Sequence, residues 1–584
     1  MDLGELLLTV KKPGRYAGGE WNSVKKEWSD GMIKVLLAFP DLYEIGSSYL
    51  GIKILYGILN ARDDCLCERA FSPWQDFEEG LRKNKISLFS LESRHPIRAF
   101  DIIGFSLAYE LTFTNVLNML DLGNIPVRSR DRTDDDPLII AGGPSCYNPE
   151  PMAEFIDAFL IGDGEEAMPE IIEAYKASRR QGVKTPRQEL VRRLARIEGV
   201  YAPSLYKVEY NYDRTIKKFS PVEDCVPDRI TKRVVKNLDG AFYPTKQIVP
   251  NISIVHDRLA IEIMRGCKHA CRFCQATATY RPCRERTIGE ILRIARESYR
   301  ETGYDEISLL SLSSGDHTRI KDIIEKLNEE FHGLAVSVSV PSLRIEDVLK
   351  DLPILISKVK KSGLTFAPES GSDCLRKIIN KNIDMEKLFR AASEYYRNGW
   401  RRVKLYFMLG LPHERDEDVL RIPELIYKIS NLKRDIDGRS GFISASINAF
   451  IPKPHTAFQW KSMDPIEELE HKKEILRGAV KSRFVELDFH SFGMSRLEAI
   501  LSRGDRSLSQ VIYESWRSGA RFDGWQDVFN LNIWLDAFKR CGVDDSFYLN
   551  RERRFDEILP WDFIDIGVKK ESLLKEINSL PALI

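Results

Sequence analysis

Short Val/Ile/Leu-rich runs alternate with amphipathic stretches along the first third of the chain. Met32–Pro40 (MIKVLLAFP) reads as a buried strand entering a loop, and GIKILYGILN as the helix after it. The pattern returns at Asp101–Leu107 before a helix, at Pro137–Gly143 before a loop, and at Ile156–Ala167 before another helix. Uniformly apolar strands separated by helices predict a doubly wound parallel sheet over residues 32–199, behind a polar leader at 1–31. Residues 200–255 change character: YKVEYNYDRTIKKF and RITKRVVKNL alternate polar and apolar positions, as a small antiparallel excursion or linker would.

From 256 to 460 the strand–helix alternation resumes about six times. The candidate strands are Arg258–Met264, Glu306–Leu312, Leu334–Val340, Gly363–Glu369, Arg402–Gly410 and Phe442–Phe450. Six such units make a partial barrel of the TIM type, with chemistry expected at the carboxyl ends of its strands. Residues 461–584 carry apolar positions near helical period and are rich in Trp, Phe and Arg, which predicts a packed helical cap. The fold class is therefore α/β, with the two sheet regions expected to be separate domains.

Composition narrows this little. Lys plus Arg equals Asp plus Glu, 87 against 87, so no global field draws the chain to nucleic acid or membrane. The start lacks the pattern of a signal peptide, and no apolar run reaches the length of a membrane span. A cytoplasmic, non-membrane protein is expected. Ten cysteines in 584 residues make no disulfide framework, and their clustering points to a metal site in a reducing compartment.

That cluster is IMRGCKHACRFCQ, where Cys267, Cys271 and Cys274 stand as CxxxCxxC just after the first strand of the second sheet region. Three thiolates on one short loop can each ligate one iron of a 4Fe–4S cluster and leave the fourth iron open. The amino and carboxylate groups of S-adenosylmethionine (SAM) can chelate that iron, and an electron passed to the sulfonium breaks a C–S bond. Zinc would want a fourth Cys or His at a regular offset, and none is there. His269, between the first two cysteines, is expected to be structural or solvated. Arg281, Arg284 and Arg286 follow the loop and could either line an anionic ligand or begin a solvated helix.

The signature, with Phe273 before the last cysteine, resembles the radical-SAM superfamily, and the strand–helix repeats agree. The resemblance implies that Phe273 contacts the adenine of SAM. It places the methionine amino group at SLSSGD, with Ser313, Gly315 and Asp316 as ligands, although this string departs from the commoner Gly-Gly-Glu form. It assigns Glu369 and Ser370, in APESGS, to the ribose and carboxylate, and the backbone of Leu409, in MLGLP, to the adenine.

The first region resembles the Rossmann-like cobalamin-binding domain found in one branch of that superfamily. Four segments carry the likeness, each at a strand's carboxyl end, where open α/β sheets present ligands. FPDLYEIGSSYLG contributes Tyr43, Glu44 and Gly46, and GFSLAYE contributes Ser106, Leu107, Tyr109 and Glu110. AGGPSCYNPEP contributes Gly142, Gly143 and Pro144, and IGDGEEA contributes Gly162, Gly164 and Glu165. Glycines there allow close backbone approach to a flat macrocycle. The Asp-x-His-x-x-Gly motif of cobalamin mutases is absent and His95 stands outside any such pattern. The resemblance therefore implies cobalamin without a protein histidine on cobalt, its lower face covered near Ser106–Glu110.

A methylthiotransferase is the competing radical-SAM reading. It would need three dispersed cysteines in the first region, where Cys65, Cys67 and Cys146 are spaced differently. The reading taken is a cobalamin-dependent methyltransferase acting on an unactivated carbon. Rearrangement or oxidation without methyl transfer, and a non-catalytic cofactor-binding protein, are its alternatives. An electron donor of flavodoxin or ferredoxin type is the expected partner. The substrate is open, with RNA among the possibilities: Tyr280–Arg286 and the aromatics Trp516 and Trp525 could present a nucleotide. No role beyond packing is read for Cys283, Cys374 or Cys541.

Overall fold

In the computed structural model, residues 3–178, 185–340 and 364–580 are described. Two seven-residue strands build the centre of the first sheet: β1 (Ile33–Phe39) and β2 (Cys65–Phe71) are mainly apolar and buried throughout their length, Lys34, Glu68 and Arg69 included. With β3 (Ile102–Ser106), β4 (Leu138–Gly142), β5 (Ala158–Leu160) and β6 (Val200–Tyr201) they form a sheet of order β2-β1-β3-β4-β5-β6. All pairs are parallel except β5–β6. The chain leaves β1 in one direction to make β2 and returns to the other side for β3. The carboxyl ends of β1 and β3 therefore diverge and leave a crevice between their loops. The antiparallel edge strand β6 extends this unit slightly past the expected limit at residue 199.

The linker is sparsely paired. β7 (Tyr206–Tyr210) and β8 (Ile216–Pro221) make the expected antiparallel hairpin. β9 (Ile230–Thr231), expected to be antiparallel too, instead pairs in parallel with β19 (Ile564–Asp565) near the end of the chain.

The second sheet region comes in two pieces among the described residues. β10 (Leu259–Glu262), β13 (Glu306–Leu310) and β14 (Ser337–Ser339) form one parallel sheet, and a short antiparallel ribbon of β11 (Met264–Arg265) and β12 (Arg284–Glu285) hangs from its end. β15 (Leu364–Glu369), β16 (Arg402–Leu409), β17 (Phe442–Ala449) and β18 (Val485–Phe489) form the other, also parallel. Gly363, expected to open the fourth strand, lies outside the described residues. The strand β18 falls where a helical cap was expected. Its VELDF burial is intermediate at one face and open at the other, so it reads like an edge strand and gives no uninterrupted apolar run to find in sequence.

The buried apolar residues of the two sheet regions pack together in part. One continuous core runs from β1–β6 through β15–β17 to the helices at Phe492–Arg503, Leu508–Arg517 and Leu531–Cys541, while β10, β13 and β14 pack a smaller core with their own helices. Buried polar bonds tie the last helices to the first sheet. The Thr114 hydroxyl donates to Asp523 at 2.7 Å, the Phe522 N–H donates to Asn115 at 2.8 Å, and Arg506 pairs with Glu150 at 3.0 Å. Trp516 is 9% exposed and belongs to this core, and the Trp525 indole donates to Asp41 at 2.8 Å. Neither ring is offered to a nucleotide. No helix among the described residues is long and apolar enough to cross a membrane.

Candidate active site

The ribbon β11–β12 holds the cysteine loop at its tip. Gly266, at φ +97°, starts the loop where a Cβ would come within 2.7 Å of the Tyr280 carbonyl and 2.9 Å of Cys283 Cα, so only glycine passes. Cys283 thus backs the loop by packing.

The residues between the cysteines are fastened one by one. Lys268 reaches Glu285 at 2.9 Å and the Asp316 carbonyl at 2.7 Å. His269 Nε2 meets Asp316 Oδ2 at 2.7 Å. The Asn380 amide donates to the Ala270 carbonyl at 2.8 Å, and Arg272 donates to the Ile378 carbonyl at 2.7 Å. Cys267, Cys271 and Cys274 are left half-buried on a loop whose other side chains are anchored.

A cubane takes three thiolates on three different irons, and three cysteines on one half-exposed loop are the donor set that suits it. By contrast Cys65, Cys67 and Cys146 are fully buried in the first sheet region, and burial pushes the Cys146 thiol well above its ordinary value. They are packing residues.

The loops expected to hold SAM lie around this loop. Ser313 is 1% exposed and its hydroxyl has no hydrogen-bond partner among the described residues, an orphan of the kind a ligand satisfies. Gly315 and Asp316 sit in the short 3-10 turn beside it, with Asp316 already tied to His269. Glu369 stands at the carboxyl end of β15 with φ +66°, an uncommon conformation for a residue with a side chain. Its carboxylate pairs with Lys381 at 2.6 Å, and the Lys381 ammonium lies 6.0 Å from the centre of the Phe273 ring. Lys381 therefore links the loop after β15 to the cysteine loop, and no spacing in the sequence signalled it. Ser370 accepts from the Ser372 N–H at 3.1 Å, and the Leu409 carbonyl accepts from Phe450 N–H at 2.8 Å. After β16 the Gly410 N–H donates to Glu414 at 2.6 Å. Burial raises the Glu414 carboxyl to about 7, with Lys472 beside it pulling the other way.

The crevice of the first sheet is a cavity of about 440 Å³. Ser106, Gly142, Gly143, Pro144, Gly162, Gly164 and Glu165 line it, together with Tyr49. Gly143, at φ +115°, presses so closely on the Leu107 carbonyl that a Cβ would lie 2.7 Å away. The same cavity is lined by Glu262, Arg265 and Tyr280 from either side of the cysteine loop.

The remaining candidates for this crevice are engaged elsewhere. The Tyr43 hydroxyl donates to Glu20 at 3.1 Å, Glu44 pairs with Arg15 at 2.9 Å, and Gly46 borders a different cavity. The Tyr109 hydroxyl donates to Glu498 at 2.7 Å, Glu110 pairs with Lys453 at 3.1 Å, and the Leu107 backbone bonds Gly142 and Ser145. His95 stacks on Trp28.

Ion pairs join crevice to loop. Arg265 meets Glu165 at 2.6 Å, Glu262 at 2.9 Å and Asp163 at 3.0 Å, and Arg284 meets Asp163 at 2.6 Å. Burial pushes the Asp163 carboxyl up, but Arg265 and Arg284 outweigh it and hold it below the usual range. Arg286 is buried, donating to the Glu262 and Leu238 carbonyls, and Arg281 donates to the His269 carbonyl at 3.1 Å. Arg284 and Arg286 are thus buried and engaged within the protein rather than at a solvated helix start, while Arg281 is half-buried beside the cysteine loop. One turn beyond Cys274, the Thr279 carbonyl accepts from the Tyr147 hydroxyl at 3.2 Å and from Lys232 at 2.9 Å.

Residues 261–426 match the family described as the radical SAM superfamily, and residues 51–203 match radical SAM proteins, N-terminal. The chain carries a radical SAM domain. An uncharacterized protein of Methanocaldococcus jannaschii is 28% identical over 518 residues, covering 88% of this chain and 98% of its own. A second protein of that organism, which bears a provisional methylthiotransferase name, is 21% identical over 429 residues, 72% of this chain and 79% of its own. Among solved structures, the radical SAM methyltransferase TsrM from Kitasatospora setae, with cobalamin and a [4Fe-4S] cluster bound, superposes with TM-score 0.52 at 12% identity. That likeness covers 88% of this chain and all of TsrM, and is one of fold. The radical SAM match spans β10 to the helix after β16, and so includes the cysteine loop and the candidate SAM loops.

Proposed function

We propose that the protein is a cobalamin-dependent radical SAM enzyme that transfers a methyl group to an unactivated carbon. The observation that carries this reading is the shared wall of the crevice, where Gly142, Gly143 and Glu165 face Arg265 and Tyr280 across one cavity. A methyl carrier held in the crevice and an electron-accepting sulfonium held at the cysteine loop would then work within one enclosure. When bound, the cluster would supply an electron to SAM, and cobalamin would supply the methyl group.

The chain's own residues have separate tasks in this scheme. Cys267, Cys271 and Cys274 would hold three irons. Ser313 would offer its buried hydroxyl to the methionine end of SAM, Phe273 and the Leu409 strand would border the adenine, and Glu369 and Ser370 the ribose. Lys381 would orient Glu369. The backbone at Gly142–Pro144 and Gly162–Gly164 would lie flat against the macrocycle. Arg265 would keep the two loops in register through its pairs with Glu165 and Asp163.

Support for cobalamin in the crevice is its place at the carboxyl ends of the parallel strands with Gly142, Gly143, Gly162 and Gly164 on its wall, together with the TsrM-like fold. A methylthiotransferase would call for further cysteine ligands in the first region, and its three cysteines there are buried packing residues. The substrate is unassigned; Trp516 lies in the core and the indole N–H of the partly buried Trp525 is engaged by Asp41, which weighs against a stacking surface for RNA there.

Anaerobic reconstitution tests the reading. The protein should take up cluster and cobalamin, form 5′-deoxyadenosine or S-adenosylhomocysteine under reduction, and show a cobalamin spectrum without nitrogen ligation from a protein histidine. Comparison of RNA and metabolites from cells with and without the protein should reveal a species lighter by one methylene. A protein that turns over SAM without binding cobalamin would defeat the proposal.

A further inference from the structure

The helix at Leu50–Asn60 divides two cavities. Its Leu50, Ile54 and Leu55 border the crevice, whereas Ile52, Lys53 and Tyr56 border a second cavity of about 400 Å³. This one is closed by the segment Phe242–Pro250 and floored by Arg69 and Phe71 of β2. The Phe242 ring seats against Gly57, where a Cβ would lie 2.6 Å from it. The size is within the range of small-molecule sites, and the wall is mainly apolar.

The charges on that wall are uneven. Arg69 is fully committed, bonded to Glu20 at 2.9 Å and to Glu92 at 2.7 Å, and Lys246, largely exposed at the cavity's edge, pairs with Glu301 at 3.8 Å. The Tyr56 hydroxyl is occupied by the Val24 N–H at 2.8 Å. Lys53 has no carboxylate within ion-pair distance among the described residues; its bond is to the neutral Gln247 amide oxygen, at 3.3 Å. Gln247 is 1% exposed, and its Nε2 donor has no partner among the described residues. The nearby charges acting on Lys53 are Arg69, which repels it, and Asp257, which attracts it. An apolar cavity therefore presents an ammonium without a counter-ion and an amide donor without an acceptor.

We propose that this cavity binds a small organic monocarboxylate with an aromatic or aliphatic body, its carboxylate received by Lys53 beside Gln247. One unpaired cation matches one negative charge, whereas a phosphate dianion would remain half-neutralised in an apolar wall. The site lies across a helix from the crevice and is independent of the function proposed above. Burial and Arg69 push the Lys53 ammonium down to about 8, so an arriving carboxylate should draw a proton onto the free amine above that pH.

The test uses the full-length protein reconstituted with cluster and cobalamin, and the probe pair 3-phenylpropionate and 3-phenylpropanol, which share one apolar body. Calorimetry should show the carboxylate binding at least about tenfold tighter than the alcohol, equivalent to about 1.4 kcal/mol. In Lys53→Met that preference should vanish. The variant should be at least as stable as the parent, since a half-buried cation without a counter-ion is removed from an apolar wall, and its melting temperature checks this. Above pH 8, runs in buffers of different ionisation enthalpy should report proton uptake by the parent. Equal affinity for acid and alcohol, unchanged carboxylate binding in Lys53→Met, or no binding of either probe would each overturn the proposal. The reading of Lys53 stands or falls whether or not the crevice takes cobalamin.

Discussion

His269 Nε2 and Asp316 Oδ2 stand 2.7 Å apart, joining a residue inside the cysteine loop to the turn after β13. With Lys268 on the Asp316 carbonyl, the loop and the turn move as one unit. The imidazole thus acts on the carboxylate and lies next to, not among, the iron ligands. Asp316→Asn and His269→Ala should keep full iron content and lower 5′-deoxyadenosine formation by about 10- to 100-fold, as the loss of outer-shell partners of a metal site does. Iron assay and product quantification on the same samples check this.

Replacing Cys267, Cys271 and Cys274 together by Ala should remove about four irons per chain and all formation of 5′-deoxyadenosine. Full iron content in the triple variant would sink the cluster assignment.

Arg265 carries three carboxylates in a site that is nearly closed to solvent. Its removal leaves Asp163 with Arg284, leaves Glu262 only the longer pair with Arg286 at 3.9 Å, and strands Glu165. Arg265→Met should cost about 3–5 kcal/mol of unfolding free energy. It should also weaken cobalamin retention, because the loop at Gly162–Glu165 loses its anchor. Urea unfolding and gel-filtered cobalamin absorbance measure the two effects.

Glu414 gives a pH dependence with a definite sign. Its folded carboxyl titrates at about 7 because of burial, against an ordinary value of 4.5. Between these values the folded state holds a proton that the unfolded chain has released. Stability from this group is therefore present at low pH and falls as pH rises through about 7. Glu414→Gln keeps an acceptor for the Gly410 N–H and should flatten that fall, by an amount on the order of a few kcal/mol across the window. Urea midpoints for parent and variant at several pH values give the comparison, and parallel curves would refute it.

Much of the architecture was legible because apolar runs of β1, β3, β4 and β16 are sharply bounded and helices separate them. The cysteine loop was legible because three soft ligands at fixed spacing have few other uses. What escaped had no local signature. Lys381, Asn380 and Arg265 act on partners brought near by the fold, and their neighbours in sequence give no hint of it. Tyr109 and Glu110 stand in the right loop, yet they turn to Glu498 and Lys453, which the chain supplies hundreds of residues later. The strand β18 escaped because an edge strand lacks the two-sided apolar pattern of a central one. The packing of the last helices on the first sheet was illegible for a related reason: periodicity reports which face of a helix is apolar, and is silent about which sheet that face covers.

The buried bonds between the first sheet and the last helices also set an order of events during synthesis. Thr114, Asn115 and Glu150 leave the ribosome long before Asp523, Phe522 and Arg506, their partners in the finished protein. Until those helices emerge, these groups must remain hydrated and the apolar face beside them uncovered. A nascent chain halted before residue 492 should therefore bind chaperones and yield to protease throughout its first region, even though every strand of that region has already been made.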